Sequence, residues 1–500
     1  MGRFENLGDL VQRDRDLDKI AIIDLSGETP REFSYAKIDG MARSVARALI
    51  ARELQRGERV AILSANRAEY LGAVFGIMRA GLVAVPVNFK FPRSTIDFII
   101  RDSGAKLVFC DPERRADCPP ELPAIEFGQA FESFLDPGAF SALAPEPREP
   151  AMFLYTSGST GVPKGVVLSH QAHLWVVETR LNQDFSRHRY VVAAPLYHMN
   201  ALAVSQLVCA GYATLVLLPQ FTAAAYIDAA ARYRCTWLTA VPPMMAMILR
   251  ESERLSHADL SSVQFVRMGS APVSESLMAG LHHALPKAAI TNAYGTTEGG
   301  PVVFGPHPQG LPQPELSVGY PHPQVQVRLR DAAGQIANEG MLEMKAPSIM
   351  NGYHNRPDLP SPIMEDGFYL TGDVFRRDEN GFHFFIGRTD DMFVSGGENI
   401  YPTDVERMLE RHPDVAQAIV VPVDDEIKGQ KPVAFVVARP GSRLNEEAVK
   451  QYALKNAAAY QHPRSVWILD RLPLSSTNKV DRALLISSAA ERIKAKVPQS

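Results

Sequence analysis

Short apolar runs alternate with helix-length amphipathic stretches through most of the chain. Residues 60–63, 65–79 and 82–87 read strand, helix, strand; 96–102 closes a helix and 106–110 is a further strand. The rhythm resumes with strands at 212–218, 236–241, 263–268 and 288–293, and with helices at 223–233 and 274–285 between them. Strands that are apolar throughout, and that are spaced by helices, predict parallel βαβ sheets covered on both faces. Residues 137–150 are a Pro- and Ala-containing linker before the next strand. After about Pro301 the pattern changes. Segments 325–329, 341–344 and 381–386 are short and turn-bounded, which predicts a small β-barrel-like subdomain. The tail has its own α+β pattern: a helix at 403–410 behind a capping signal, strands at 416–423 and 431–437, a helix at 446–458 and a strand at 466–469. The expected fold is therefore α/β, a large domain over 1–388 followed by a small domain over 389–500.

No Asp, Glu, Lys or Arg occurs from Val191 to Ile227, a length able to span a bilayer. Pro195, His198, Asn200, Ser205, Gln206, Gly211 and Pro219 interrupt it, so it reads as buried core. The composition, 46% apolar and 22% charged over 500 residues, excludes disordered and fibrous classes. A formal net charge of −4 gives no basic surface for nucleic acid and no reason for attraction to an anionic membrane. Cys110, Cys118, Cys209 and Cys235 form no C-x-x-C pair, so neither a disulfide framework nor a zinc site is expected. Residues 1–17 lack the apolar centre of a signal peptide. A cytoplasmic setting is the expectation.

The chemistry concentrates in Tyr155-Thr156-Ser157-Gly158-Ser159-Thr160-Gly161-Val162-Pro163-Lys164-Gly165, between strands expected at 152–155 and 166–169. Glycines free backbone N–H groups to curl around phosphate oxygens, hydroxyls add donors, and Lys164 adds charge. The segment is not a Walker A loop: Pro163 stands where its second glycine belongs, and no Ser or Thr follows Lys164. A flexible polar hairpin is the plainer alternative.

Residues 156–165 resemble the phosphate-loop signature of the adenylate-forming superfamily, which includes acyl-CoA ligases, peptide-synthetase adenylation domains and beetle luciferases. Further segments match in the family's order: Tyr294-Gly-Thr-Thr-Glu298, Tyr369-Leu-Thr-Gly-Asp373, the stretch from Gly387 through Gly397 to Pro402, and Asn478-Lys479-Val480-Asp481-Arg482. The resemblance spans essentially the whole chain and is closest to aryl- or acyl-CoA ligases of the 4-chlorobenzoate and 4-coumarate type.

It implies a small, mobile C-terminal domain and an ATP-dependent carboxylic acid–CoA ligase that makes an acyl-adenylate, then an acyl-CoA. ATP, Mg²⁺ and coenzyme A follow as its cofactors and substrates. Thr156, Ser157, Gly158, Ser159, Thr160, Gly161 and Lys164 would cradle phosphates. Ala293, Tyr294, Gly295, Thr296 and Thr297 would flank the adenine. Glu298, with Thr160, would hold Mg²⁺ as hard oxygen ligands. Asp373 would accept both ribose hydroxyls, and Phe385 and Arg388 would complete the nucleotide site. Lys479 would neutralise the charge that builds as a carboxylate attacks the α-phosphate. Its neighbour Asn478 replaces the family's usual glycine and also tolerates left-handed backbone. Asp390 matches the hinge, Gly396 and Gly397 the passage for the pantetheine arm, and His198 the gate beside the acid's carboxylate. Each has a plainer reading alone: Glu298, Arg388 and Lys479 as surface charges, Asp373 and the glycine pair as turns, His198 as a core histidine.

The resemblance also sets an acyl pocket of Tyr197, Met199, Asn200, Gly269, Ser270, Ala271, Gly300, Pro301 and Val302. Its segments contain no charged residue, and a second buried charge on the acid would lack a partner there. That disfavours dicarboxylates and amino acids. Glycines 269, 295, 299 and 300 suggest a flat slot and hence an uncharged aromatic acid, benzoate- or cinnamate-like, with Asn200 or Ser270 bonding a ring substituent. The alternatives are a medium-chain fatty acid–CoA ligase, an enzyme passing its acyl group to a carrier protein, and a non-catalytic nucleotide-binding module. Gln461 stands where many CoA ligases carry a lysine, leaving Lys428, Lys431, Lys455 or Arg464 to meet CoA phosphates. No macromolecular partner is expected beyond a monomer or homodimer.

Overall fold

The structure, a computed structural model, describes residues 3–157, 162–181, 183–475 and 478–496. In its first sheet the strands run in the order Ala289–Ala293, Phe265–Gly269, Trp237–Ala240, Arg189–Val192, Thr214–Leu217, Ile20–Asp24, Arg31–Ser34, parallel except for the last pair. The second sheet runs Gly352–Tyr353, Pro163–Ser169, Pro150–Ser157, Val83–Pro86, Arg59–Leu63, Ala105–Cys110, Ala124–Glu126; it is parallel from Pro150–Ser157 onward and antiparallel before it.

Helices Tyr35–Ile50 and Ala68–Arg79 share one core with faces of both sheets. Their close approach depends on Gly76, where a Cβ would lie 2.6 Å from the Val45 Cβ. The second helix starts at Ala68, later than its apolar pattern from Ala65 suggests. Asn66 explains the delay. Its side chain donates to the carbonyls of Ala194 (2.9 Å) and Leu218 (3.0 Å) and accepts from the Leu196 N–H (2.8 Å). That residue ties together the two loops beneath His198 instead of extending the helix.

The uncharged stretch resolves into strand Arg189–Val192, helix Met199–Ala210, strand Thr214–Leu217 and helix Ala223–Arg232, largely buried. No helix among the described residues is long and apolar enough to cross a membrane.

The β-rich part is a wholly antiparallel sheet ordered Phe304–Gly305, Ser317–Pro321, His383–Arg388, Tyr369–Arg377, Glu339–Lys345, Gln326–Arg330, Ile336–Ala337. Residues 389–392 then carry the chain into a fourth sheet of Glu398–Ile400, Phe393–Ser395, Gly429–Ala438 and Val415–Asp425, with Val466–Leu469 parallel beside Gly429–Ala438. Helices Pro402–Glu410 and Glu446–Asn456 cover one face and Arg482–Lys496 the other. Thr403 does not cap its helix: Pro402 opens it with a pre-set φ, behind a Tyr401 that makes no side-chain cap bond.

The tail is docked on the body. Arg407 Nη2 donates to the Phe385 carbonyl (2.7 Å), Arg411 pairs with Glu275 (2.8 Å), and Arg250 Nη1 donates to the Asp470 carbonyl (3.1 Å).

Candidate active site

A cleft of about 1780 Å³ opens where the carboxyl ends of the first sheet's strands meet the second sheet, the antiparallel sheet and the docked tail. Open α/β sheets present ligand sites at that end of their strands.

Lys479 comes to the cleft on a tight turn. Leu474 and Val480 pair as an isolated bridge, and the Ser475 N–H donates to the Lys479 carbonyl (2.7 Å). Asn478 closes the turn at φ +60, the left-handed conformation asparagine tolerates, with its amide 4.0 Å from Met244 Sδ on the body. Burial lowers the Lys479 pKa and Arg388 lowers it further, with Asp373 opposing both.

Asp373 is buried on strand Tyr369–Arg377, just after Gly372 at φ +72. Tyr294 donates its hydroxyl to Oδ2, and Arg388, the register partner of Asp373 on the next strand, holds Nε 3.7 Å from Oδ1. Burial raises the Asp373 pKa against the pull of Arg388 and Tyr294. The carboxylate is thus short of charge compensation, which suits a group meant to accept hydroxyls from a ligand.

Glu298 accepts from the Tyr353 hydroxyl (3.1 Å), and Lys164 Nζ lies 4.8 Å from the Tyr353 ring centroid. Tyr353 was not foreseen, because it sits on an edge strand far along the sequence from both partners. Among the described residues no group of three His, Cys, Asp or Glu forms a metal cluster. Mg²⁺ fits a lone carboxylate only with phosphate oxygens and water completing its shell, and Glu298 lines the cleft together with Thr156 and Lys164, a donor set able to hold such phosphates. Gly158, Ser159, Thr160 and Gly161 lie outside the described residues; the strands beside them pair as far as Thr156 with Lys164 and Ser157 with Pro163.

His198 precedes helix Met199–Ala210 and lines the cleft, with Nε2 buried and unpartnered. Burial first, then Lys479 and Lys90, push its pKa to about 3, so the imidazole is neutral near pH 7. The cleft also takes Thr156, Lys164, Met199, Asn200, Ser270, Ala271, the run Ala293 to Glu298, Phe385, Arg388 and Asp390. Asp390 faces Arg388 at 3.7 Å, and the preceding Thr389 bonds the Gly372 carbonyl through N–H (2.8 Å) and hydroxyl (2.9 Å).

Other expected residues lie elsewhere. Tyr197, Gly269, Gly300, Pro301 and Val302 do not line the cleft. The flat glycine slot is corrected too. A Cβ at Gly269 would meet the Ala293 carbonyl at 2.8 Å, at Gly295 the Gly300 carbonyl at 2.6 Å, at Gly299 the Met344 sulfur at 2.9 Å and at Gly300 the Ser348 side chain at 2.6 Å. These glycines permit protein to pack on protein, so they carry no information about an aryl ring. Gly396 and Gly397, at φ +61 and +91, form the two-residue turn between strands Phe393–Ser395 and Glu398–Ile400, outside the cleft in this docked arrangement. Gln461 accepts from the Ala458 N–H (3.3 Å), Arg464 bonds His462 (3.1 Å), and Lys431 pairs with Asp425 (3.0 Å).

The chain matches the family described as AMP-binding enzyme over residues 11–354 and the AMP-binding enzyme C-terminal domain over 404–479. It is 32% identical to a feruloyl-CoA synthase of Amycolatopsis sp over 466 residues, covering 90% of this chain and 92% of that protein. It is 30% identical to an indoleacetate–CoA ligase of Aromatoleum aromaticum over 472 residues, again covering 90% and 92%. ATP-bound MatB from Rhodopseudomonas palustris superposes with a TM-score of 0.86 at 27% identity, over 98% of this chain and 100% of that one.

Proposed function

The chain belongs to the AMP-binding enzyme family, and from that footing we propose that it ligates an aromatic carboxylic acid to coenzyme A. It is an AMP-forming acid–CoA ligase using ATP, Mg²⁺ and CoA. The acid's carboxylate attacks the α-phosphorus, the bond to pyrophosphate breaks, and an acyl-adenylate forms; the CoA thiolate then attacks the acyl carbon and AMP leaves. The supporting observation is that Lys479 from the tail shares a cleft with Asp373, Arg388 and a neutral His198 from the body.

Lys479 offsets the charge shared by carboxylate and phosphate oxygens, in a site where little water competes for it. Arg388 contributes a second cation on the nucleotide side. Asp373 holds the ribose hydroxyls, and Lys164 with Thr156 orients the phosphates. Mg²⁺, when bound, neutralises phosphate charge next to Glu298. His198, being neutral, takes the acid's carboxylate by hydrogen bond without forming an ion pair that would hold it back from attack.

Residues 1–388 and 389–500 act as two domains, with Asp390 as hinge. Gly396 and Gly397, on the outer turn in the docked arrangement, reach the cleft only after the tail rotates. Such a hinge absorbs its change over a few residues. Two similar CoA ligases named for aromatic acids support an aromatic substrate here. A cytoplasmic location is part of the same reading, in keeping with four buried free thiols.

ATP–pyrophosphate exchange across a panel of aromatic and medium-chain acids, followed by CoA addition, tests the assignment. Exchange with aromatic acids and CoA consumption are expected. Exchange without CoA consumption would select a carrier protein as acceptor, which Gln461 in place of a lysine leaves open. Aliphatic acids far preferred in kcat/KM would overturn the aromatic assignment.

A further inference from the structure

Next to segments that line the cleft are two partly buried arginines with no acid paired to either among the described residues. Arg180 follows helix His170–Glu178 and donates through Nε to the Val176 carbonyl (3.0 Å) and through Nη2 to the Ala203 carbonyl (3.2 Å). Arg267, on strand Phe265–Gly269, donates through Nη2 to the Pro301 carbonyl (3.3 Å). Neither forms an ion pair with a described residue, and the strongest charge felt by Arg180 is Arg267 itself. Burial first, then that neighbour, push Arg180 down to about 9. Buried Arg79, by contrast, meets Asp39 and Asp9, and the partly buried Arg482 meets Glu406. Charges partly withdrawn from water without partners are costly, so two like charges set side by side with no acid between them ask for a ligand.

The surroundings are similarly incomplete. Among the described residues Gln206 has no partner at either end of its amide, and His173 none at either ring nitrogen, although both are fully buried. Tyr190 and Trp237 stack at 5.1 Å and Trp237 and Phe265 at 4.3 Å, while the Tyr190 hydroxyl and the Trp237 Nε1 are unpartnered. Arg180 acts on both His173 and Tyr190, and Arg267 acts on Tyr190, so these groups form one cluster.

The cluster continues the cleft's own walls. Met199 and Asn200 line the cleft, and Ala203, which holds Arg180, is the next turn of the same helix, about 5 Å on. Ser270 lines the opposite wall, and Arg267 lies three residues back along the connected strand, about 10 Å on.

Resting on the ligase reading above, we propose that the substrate is an aromatic dicarboxylic acid, whose second carboxylate is received by Arg180 and Arg267 at the inner end of the acyl pocket. The stacked aromatic wall beside the pair suits the ring between its two carboxylates. The expectation of an uncharged acid used segments that stop one residue short of Arg267 and never reach Arg180.

Matched acids test this without any variant: benzoate against terephthalate, cinnamate against 4-carboxycinnamate, and the methyl ester of each dicarboxylate, in ATP–pyrophosphate exchange. The dicarboxylate is expected to exceed its neutral partners by about a hundredfold in kcat/KM, since a site built for a polar group strongly rejects analogues lacking it. Arg267→Gln should abolish that preference while leaving exchange with the monoacid within a few-fold, and Arg267→Lys should keep part of it. A preference of the unaltered enzyme for the neutral acids sinks the proposal and leaves the ligase reading standing. So does an Arg267→Gln variant that loses both substrates equally. Exchange with no acid of either kind would sink the ligase reading and the proposal together.

Discussion

Asp39 and Asp373 are almost equally buried, at 3% and 4% exposure, yet their carboxyl groups move in opposite directions. At Asp39, between the helices beneath the two large sheets, burial is outweighed by Arg13 and Arg79 and the pKa falls. Arg79 Nη1 and Arg13 Nη2 each stand 2.7 Å from Oδ1. At Asp373, burial wins and the pKa rises, because the nearest guanidinium, Arg388, stays 3.7 Å off. Around Asp39 the charges answer one another and the arrangement holds the fold. In the cleft, Arg388 adds to the burial that depresses Lys479, Asp373 is under-compensated, and His198 has a nitrogen with no partner among the described residues. Incomplete compensation is what a ligand site looks like before its ligand.

If that contrast is sound, the two regions fail differently. Arg79→Met takes from Asp39 its one buried cation, leaving only the more exposed Arg13 and Arg43, and should cost about 3–5 kcal/mol of stability. Urea unfolding checks it, and a loss below about 1 kcal/mol would remove Arg79 from that role. Lys479→Ala should leave the unfolding midpoint near its original value and slow adenylation by about two to three powers of ten, roughly 3–4 kcal/mol on the barrier. Thioester formation from supplied acyl-adenylate should survive. Equal loss in both half-reactions contradicts the role given to the lysine. The mildest of the three is Asp373→Asn, which removes an acceptor of ribose hydroxyls and should raise the KM for ATP about tenfold, the worth of about one hydrogen bond to a charged group. Its stability should hold or improve, since an uncompensated charge is gone. If Asp373→Asn destabilises as strongly as Asp39→Asn, the distinction between the two carboxylates fails.

The contrast also marks what could be read from sequence. Strand–helix alternation gives the two large sheets, and contiguous motifs such as Tyr294 to Glu298 and Asn478 to Arg482 point to residues that line the cleft. Such features are local: a few neighbouring residues carry both the backbone shape and the chemistry. What was missed depends on partners far along the chain. Gly300 needs its missing side chain because of Ser348, and Gly299 because of Met344, so their flatness belongs to packing. Asn66 delays the start of a helix because Ala194 and Leu218 need its amide. Arg180 and Arg267 are 87 positions apart, and only the fold makes them neighbours. Neither can be seen to lack an acid until every nearby acid is placed.

The smallest expected effect concerns the seam between body and tail, where a charge is compensated by a proton. Glu410 closes helix Pro402–Glu410, and its carboxylate accepts from the Ala418 N–H (3.1 Å). Burial pushes its pKa up to about 8; Glu406 raises it further, while the Ala418 N–H, the Ser274 hydroxyl of the body and Arg407 oppose. Part of that burial comes from docking, since Ser274 and the Arg411–Glu275 pair lie across the seam. An undocked tail returns part of Glu410 to water and moves its pKa back toward the ordinary 4.5. Docking therefore takes up a proton at any pH between about 4.5 and 8, and the docked arrangement weakens as pH rises through that window, by at most about tenfold per unit. Below it the carboxyl is neutral in both arrangements and contributes no pH dependence. A disulfide between Glu275→Cys and Arg411→Cys reports docking directly, and comparing that background with and without Glu410→Gln cancels the pH dependence of thiol oxidation. The carboxylate form should trap less of the docked state at pH 8 than the glutamine form, and the two should converge as the pH falls below about 4.5. Parallel yields at both pH values would mean that Glu410 keeps the same proton whether or not the tail is seated.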